Sequence, residues 1–187
     1  MPGAPGALDK VIRLRPSQGS GGAFNQKEEQ VANSQTIRYG DIVSLSSGKV
    51  QQSIALPGSN NTASSASGGT LPIYGIALAD IATNSAGTEA STGRNTIPVA
   101  VFDSNLELLV RIYNATPSSS TQAALSLGTT YQFVRYRGAD ANTWWYMVST
   151  TSTGEFKFVE ASAESQTSDN YGMVWLRTIL SDTVRQG

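Results

Sequence analysis

The feature that most constrains this chain is LELLVRIY, residues 106–113, in which Leu106, Leu108, Val110 and Ile112 alternate with Glu107, Arg111 and Tyr113. A repeat of two gathers the four aliphatics on one face of a strand; a helix would scatter them around its circumference. The same repeat returns in TIPVAVF through Ile97, Val99 and Val101. Pro98 in that run has no N–H to give, which predicts an edge strand or a bulge.

Other segments follow the same grammar. TIRYGDIVSL and KVQQSIAL flank Ser46–Ser47–Gly48, a turn signal, and predict a hairpin with Val50, Ile54 and Leu56 on one face. IYGIALADI sets Tyr74, Ile76 and Leu78 against a small-residue face of Gly75, Ala77 and Ala79. That face calls for something packed close, either a neighbouring strand or a partner chain. TYQFVRY and TWWYMV predict a second hairpin around RGADAN, and EFKFVE and YGMVWLRTIL complete the set. PSSSTQAALSLG is the one candidate for a helical turn, with Gly128 as its stop. PGSNNTASSASGGTLP and ATNSAGTEASTGRN are too poor in apolar groups to pack and predict loops. The spacing predicts an all-β fold, an antiparallel β-barrel or sandwich of about nine strands.

The start of the chain reads differently. Proline and glycine punctuate residues 1–30, while Val11, Ile12, Leu14 and Phe24 stand as isolated apolar anchors. This predicts an extended N-terminal arm over residues 1–33 that orders on a neighbouring subunit, ahead of one β domain over 34–187. MPGAPGAL lacks a basic region followed by an apolar one, so no secretory leader is expected.

Composition narrows the chemistry. The chain has no cysteine and no histidine, which removes thiolate nucleophiles, disulfides and the side chain best suited to proton transfer at neutral pH. The net charge of −1, with 14% of residues charged, gives no long-range attraction to nucleic acid or acidic lipid. No run approaches the ~20 apolar residues of a membrane-spanning helix. Neither GSGG at Gly19–Gly22 nor SSGKV around Lys49 has phosphate-loop spacing, and no G-x-S-x-G elbow occurs. Asp41, Asp80, Asp103 and Asp140 sit in turn-like settings where hydrogen bonding to the backbone is their default role, and Glu28–Glu29 lies in the leader. These residues predict neither an enzyme nor a bound metal or cofactor, and no nucleic-acid or membrane partner.

The strongest side-chain cluster is Trp144, Trp145 and Tyr146. Successive strand residues face opposite ways, so one tryptophan is expected in the core and the other outward as a protein anchor or a sugar-stacking platform. Trp175, between Val174 and Leu176, is expected in the core.

Four elements carry a resemblance: Gly40–Asp41–Ile42–Val43, Tyr74–Gly75–Ile76–Ala77–Leu78, Gly87–Thr88, and Ile97 to Val101. Over roughly residues 38 to 135 the pattern resembles small bacteriophage capsid decoration, or cement, proteins. The loop of residues 57–71 and the aromatic C-terminal third depart from it. The resemblance implies a structural virion protein, made in the host cytoplasm, that binds the outer surface of the capsid and bridges subunits of the major capsid protein. It further implies a homo-oligomer, with a trimer favoured over a dimer. In that role the expected protein-binding anchors are Val11, Ile12, Leu14, Phe24, Trp144 and Trp145. The aromatics and the Ser/Thr/Asn-rich loops leave an alternative, a carbohydrate-binding or tail-associated receptor-recognition module.

Overall fold

The computed structural model describes residues 13–17, 24–54, 57–65, 73–103, 105–138, 144–150, 154 and 156–179. Its strands are β1 (Arg13–Pro16), β2 (Gln26–Gln30), β3 (Thr36–Ile37), β4 (Ile42–Ser46) and β5 (Lys49–Gln52). Then come β6 (Thr62–Ser65), β7 (Ile73–Ala77), β8 (Ile81–Ala82), β9 (Thr96–Val101) and β10 (Leu106–Tyr113). The last five are β11 (Thr130–Tyr131), β12 (Phe133–Arg137), β13 (Trp144–Ser149), β14 (Phe156–Ala161) and β15 (Met173–Thr178). The predicted helical turn is a pair of short 3-10 turns, Pro117–Ser119 and Gln122–Ala124, ahead of Gly128 with φ 83°.

The fold is all-β, as the alternation predicts, and it has two principal sheets. The larger runs β11-β14-β15-β10-β13-β12-β6, with β1 also on β10; the smaller runs β2-β9-β7-β4-β5. β3 and β8 form a separate ribbon. In the smaller sheet the two ends meet, because Val31, just past β2, bridges Val50 of β5 in parallel and the Ala32 N–H donates to the Val50 carbonyl at 2.9 Å. The sheet is therefore a small barrel. Its interior holds Val31, Val43, Val50, Ala77, Ile97 and Val99, capped by Ile37 and Ile81 of the ribbon.

The main core lies between barrel and larger sheet. Ile42, Ile73, Ile76 and Ala100 face outward from the barrel and meet Leu106, Leu108, Val110 and Ile112 of β10, with Phe133, Phe156, Val174 and Leu176. Phe156 stands edge-on to Phe133 and to Phe102, with centroids 4.3 and 5.3 Å apart.

Local chemistry explains the hairpins. Ser47 and Gly48 carry φ of 50° and 73°, the two left-handed positions of the tight turn that joins β4 to β5. β12 and β13 pair antiparallel, as the second hairpin requires.

Several expectations change. β9 is an interior strand, paired with β2 on one side and β7 on the other. Pro98 is tolerated because its carbonyl accepts from Leu78 just beyond the end of β7, so the missing N–H points to the side where that ladder has stopped. Tyr74 does not share a face with Ile76: the β4–β7 register shifts by one residue there, and the bulge turns Tyr74 toward the barrel cluster while Ile73 and Ile76 face the main core. The small face at Gly75 is explained by β9 of the same chain, since a Cβ at Gly75 would strike the Ala100 carbonyl and come within 2.6 Å of Val99 Cγ1. Val50 and Ile54 point into different clusters because β5 ends at Gln52, and Leu56 lies outside the described residues. Thr62–Ser65, expected as loop, pairs with β12. One ladder of the larger sheet, β10 with β13, is parallel.

The leader also differs from expectation. Arg13–Pro16 pairs with Leu106–Leu109 of β10, and Gln26–Gln30 pairs with β9. Within residues 1–33, then, the described parts belong to the sheets of this chain's own body. Leu14 and Phe24 pack on its main core.

Candidate functional site

The larger sheet has a second face, directed away from the main core, and alternation decides what it carries. On β10 the residues between the core aliphatics are Glu107, Leu109, Arg111 and Tyr113; on β15 they are Met173, Trp175 and Arg177. On β12 and β13 they are Val134, Tyr136, Trp145 and Met147. This face divides into a charged half and an aromatic half.

The charged half centres on Glu107, only 2% exposed. Its two carboxylate oxygens are shared between arginines from the flanking strands: Arg15 Nε of β1 donates to Oε2 at 2.8 Å, and Arg177 Nε of β15 donates to Oε1 at 3.2 Å. Arg15 also pairs with Glu160 of β14, and its guanidinium lies 3.8 Å from the centre of the Trp175 ring. Burial works against the Arg15 charge, yet the hydrogen bonds to Glu160 and Glu107 outweigh it and hold the group above its ordinary pKa. Arg13 completes the row with Glu164 at 2.8 Å.

The aromatic half is built across the β12–β13 pair. Trp145 lies directly opposite Tyr136, ring centroids 5.8 Å apart, and Tyr113 of β10 sits 5.4 Å from Tyr136. Tyr171 joins them from the loop before β15, held at φ 58° with its carbonyl accepting from Arg111 at 3.1 Å. A left-handed tyrosine costs on the order of 1–2 kcal/mol, so the surrounding contacts fix this ring in place. Burial, and secondarily the neighbouring phenols, push Tyr113 and Tyr136 upward in pKa, and burial does the same for Tyr171. All three stay neutral hydroxyls at physiological pH. Trp145 and Tyr136 are buried, whereas Tyr113, Tyr171, Met173 and Trp175 are half-exposed.

A third polar group lies on the opposite side of the same sheet, inside the main core. Asp41, fully buried at the start of β4, faces Arg135 of β12 at 3.7 Å. Its other oxygen accepts from the Arg38 N–H and from Gln52 Nε2, both at 3.0 Å. Arg135 also donates to the Ile54 carbonyl at 3.1 Å and lies 5.5 Å from the Tyr146 ring centre. Burial raises the Asp41 pKa, against the pull of the Arg38 N–H, Arg135 and Gln52. This pair joins the barrel to the larger sheet.

The sequence-predicted anchors separate. Val11 and Ile12 lie outside the described residues; Leu14 and Phe24 pack on the main core. Trp144 lies in β13 with its side chain outside the described set, and Trp145 is on the second face, buried in the aromatic half. A sugar platform needs an open ring face, and Trp145 is only 5% exposed. Trp175, expected in the core, is instead half-buried on the second face beneath Arg15, because Val174 and Leu176 take the two core positions. Asp80 and Asp103 accept backbone N–H bonds from Tyr39 and Asn105, and Asp140 lies outside the described residues. Sequence reading missed Glu107, Arg15 and Arg177 as a group. Only the unusual placement of a carboxylate in the middle of an apolar strand hinted at it.

No protein-family model, curated protein or solved structure matches this chain.

Proposed function

We propose that this is a non-enzymatic structural protein of a phage particle that binds the outer surface of the capsid and stabilises it by bridging major capsid protein subunits, working as a homo-oligomer. The observation that carries it is the second face of the larger sheet. There Tyr113 and Trp175 of the sheet and Tyr171 of the loop before β15 stay half-exposed beside Arg111 and Arg177, with Arg111 donating to the Tyr171 carbonyl. Aromatic and arginine side chains held in one conformation lose little entropy on docking and supply most of the energy of protein interfaces. The resemblance of residues 38–135 to decoration proteins supports the same role, and the capsid as partner rests on that resemblance.

A cement protein acts mechanically. Each contact that spans two shell subunits raises the cost of separating them, and attachment at several points multiplies weak affinities. The test is cosedimentation of the purified protein with expanded, undecorated heads. Stoichiometric binding and a higher head-disruption temperature are expected, both lost in Tyr113→Ala/Tyr171→Gly with the fold retained. Absence of binding to any head lattice, with glycan binding lost in the same variant, would assign this face to sugar recognition instead.

A further inference from the structure

We propose that Glu107 is the positioning residue of the second face: buried beneath it, Glu107 touches no partner itself but holds Arg15 and Arg177 in the arrangement that docks. This role rests on the reading of that face as the capsid-binding surface. Glu107 projects from β10 between two flanking strands, and each of its oxygens serves a different one. Oε2 accepts from Arg15 Nε at 2.8 Å, while Oε1 accepts from both Nε and Nη2 of Arg177. Arg15 gives its Nη2 to Glu160 and lays its guanidinium 3.8 Å from the centre of the Trp175 ring. Each guanidinium is therefore held through two nitrogens. No hydrogen bond among the described residues uses the Nη1 group of either, and both side chains stay partly exposed.

Stability alone does not call for a carboxylate at this position. Leu109, two residues on and on the same face, is buried as an aliphatic. Exchanging a buried ion pair for well-packed apolar groups is often neutral or stabilising. β1 also has other ties to the body: its pairing with Leu106–Leu109, Leu14 against the main core, and Arg13 with Glu164. What an apolar residue at 107 could not do is orient two guanidinium groups. An arginine that must be immobilised on docking subtracts from affinity, whereas one already fixed by a carboxylate brings its planar donors ready placed. A partner then meets two Nη1 donors and the Trp175 ring in one arrangement, a surface matched to hydrogen-bond acceptors around an apolar contact.

Glu107→Gln keeps the shape, but its amide offers one acceptor oxygen and sets N–H donors against the other guanidinium. Affinity for expanded, undecorated heads should fall about tenfold with the β-sheet circular-dichroism spectrum retained. The Arg15 and Arg177 Nε–H resonances, slow to exchange with solvent in the parent chain, should exchange freely in the variant. Arg15→Lys and Arg177→Lys keep the charge and Glu107 but lose the Nε donor, and each should weaken binding to a similar degree. Combining either with Glu107→Gln should add little, because both act through one contact. A parent chain that binds no head overturns the reading of the face, and this role with it. Parent binding that Glu107→Gln leaves intact overturns the role alone. So does a loss of binding with Nε–H exchange unchanged, or losses that simply add in the double variants. If Glu107→Gln does not fold, the lysine variants decide, and undiminished binding in both overturns the role.

Discussion

The barrel interior and the second face of the larger sheet are both faces of β-sheets, yet they are made from opposite materials. Inside the barrel stand valine, isoleucine and alanine, with Gly75 where β7 and β9 approach too closely for a Cβ. The second face is built from tyrosine, tryptophan, arginine and glutamate, several of them half-exposed. A closed barrel has no further partner to meet, so shape alone selects its residues. The second face keeps ring faces and guanidinium groups at the surface.

Substitutions separate the two. The largest effect is expected where barrel and sheet are joined: Asp41→Ala leaves the Arg135 guanidinium buried without its carboxylate and should cost about 3–5 kcal/mol in denaturant unfolding. Gly75→Ala, inside the barrel, should cost about 1–3 kcal/mol, since the new methyl meets the Ala100 carbonyl and Val99 without room to shift. On the second face, Tyr171→Gly exchanges lost ring contacts for relief of a left-handed backbone. Stability should change by no more than ~1 kcal/mol while head binding falls. Arg13→Ala removes an exposed ion pair and should change stability by less than ~1 kcal/mol. A second face as sensitive as the barrel would erase the distinction.

The joint also has a pH signature. Asp41 has a folded pKa above its unfolded value of 3.8, so the folded chain binds that proton more tightly. Its contribution to stability is full below the unfolded pKa and is lost as pH rises through the folded one. Asp41→Asn should remove that step from a stability profile measured upward from pH 3, and an unchanged profile would show that another group carries it.

Much of the fold was legible because alternation is local. The nine alternating segments became β4, β5, β7, β9, β10, β12, β13, β14 and β15, and Ser47–Gly48 announced the turn between the first two. The other strands are short or polar, and their pairing partners lie far away in sequence: Thr62–Ser65 is a strand only because β12 offers an edge, and Gln26–Gln30 only because β9 does. Tyr74 was misplaced by a bulge that a strict repeat of two does not contain. Of the candidate site, Trp145 was visible as an aromatic, but its neighbours Tyr113 and Tyr171 arrive from other parts of the chain.

The sequence by itself determined that this protein is made of strands and, where no bulge or strand end interrupts the repeat, which residues of a strand share a side, because extended backbone repeats every two residues. Only the tertiary structure decided that Leu14 serves this chain's core, that Glu107 sits buried between two arginines, and that Trp175 lies under Arg15. Those outcomes depend on which strand becomes the neighbour, and β1 reaches β10 across some ninety residues of intervening chain.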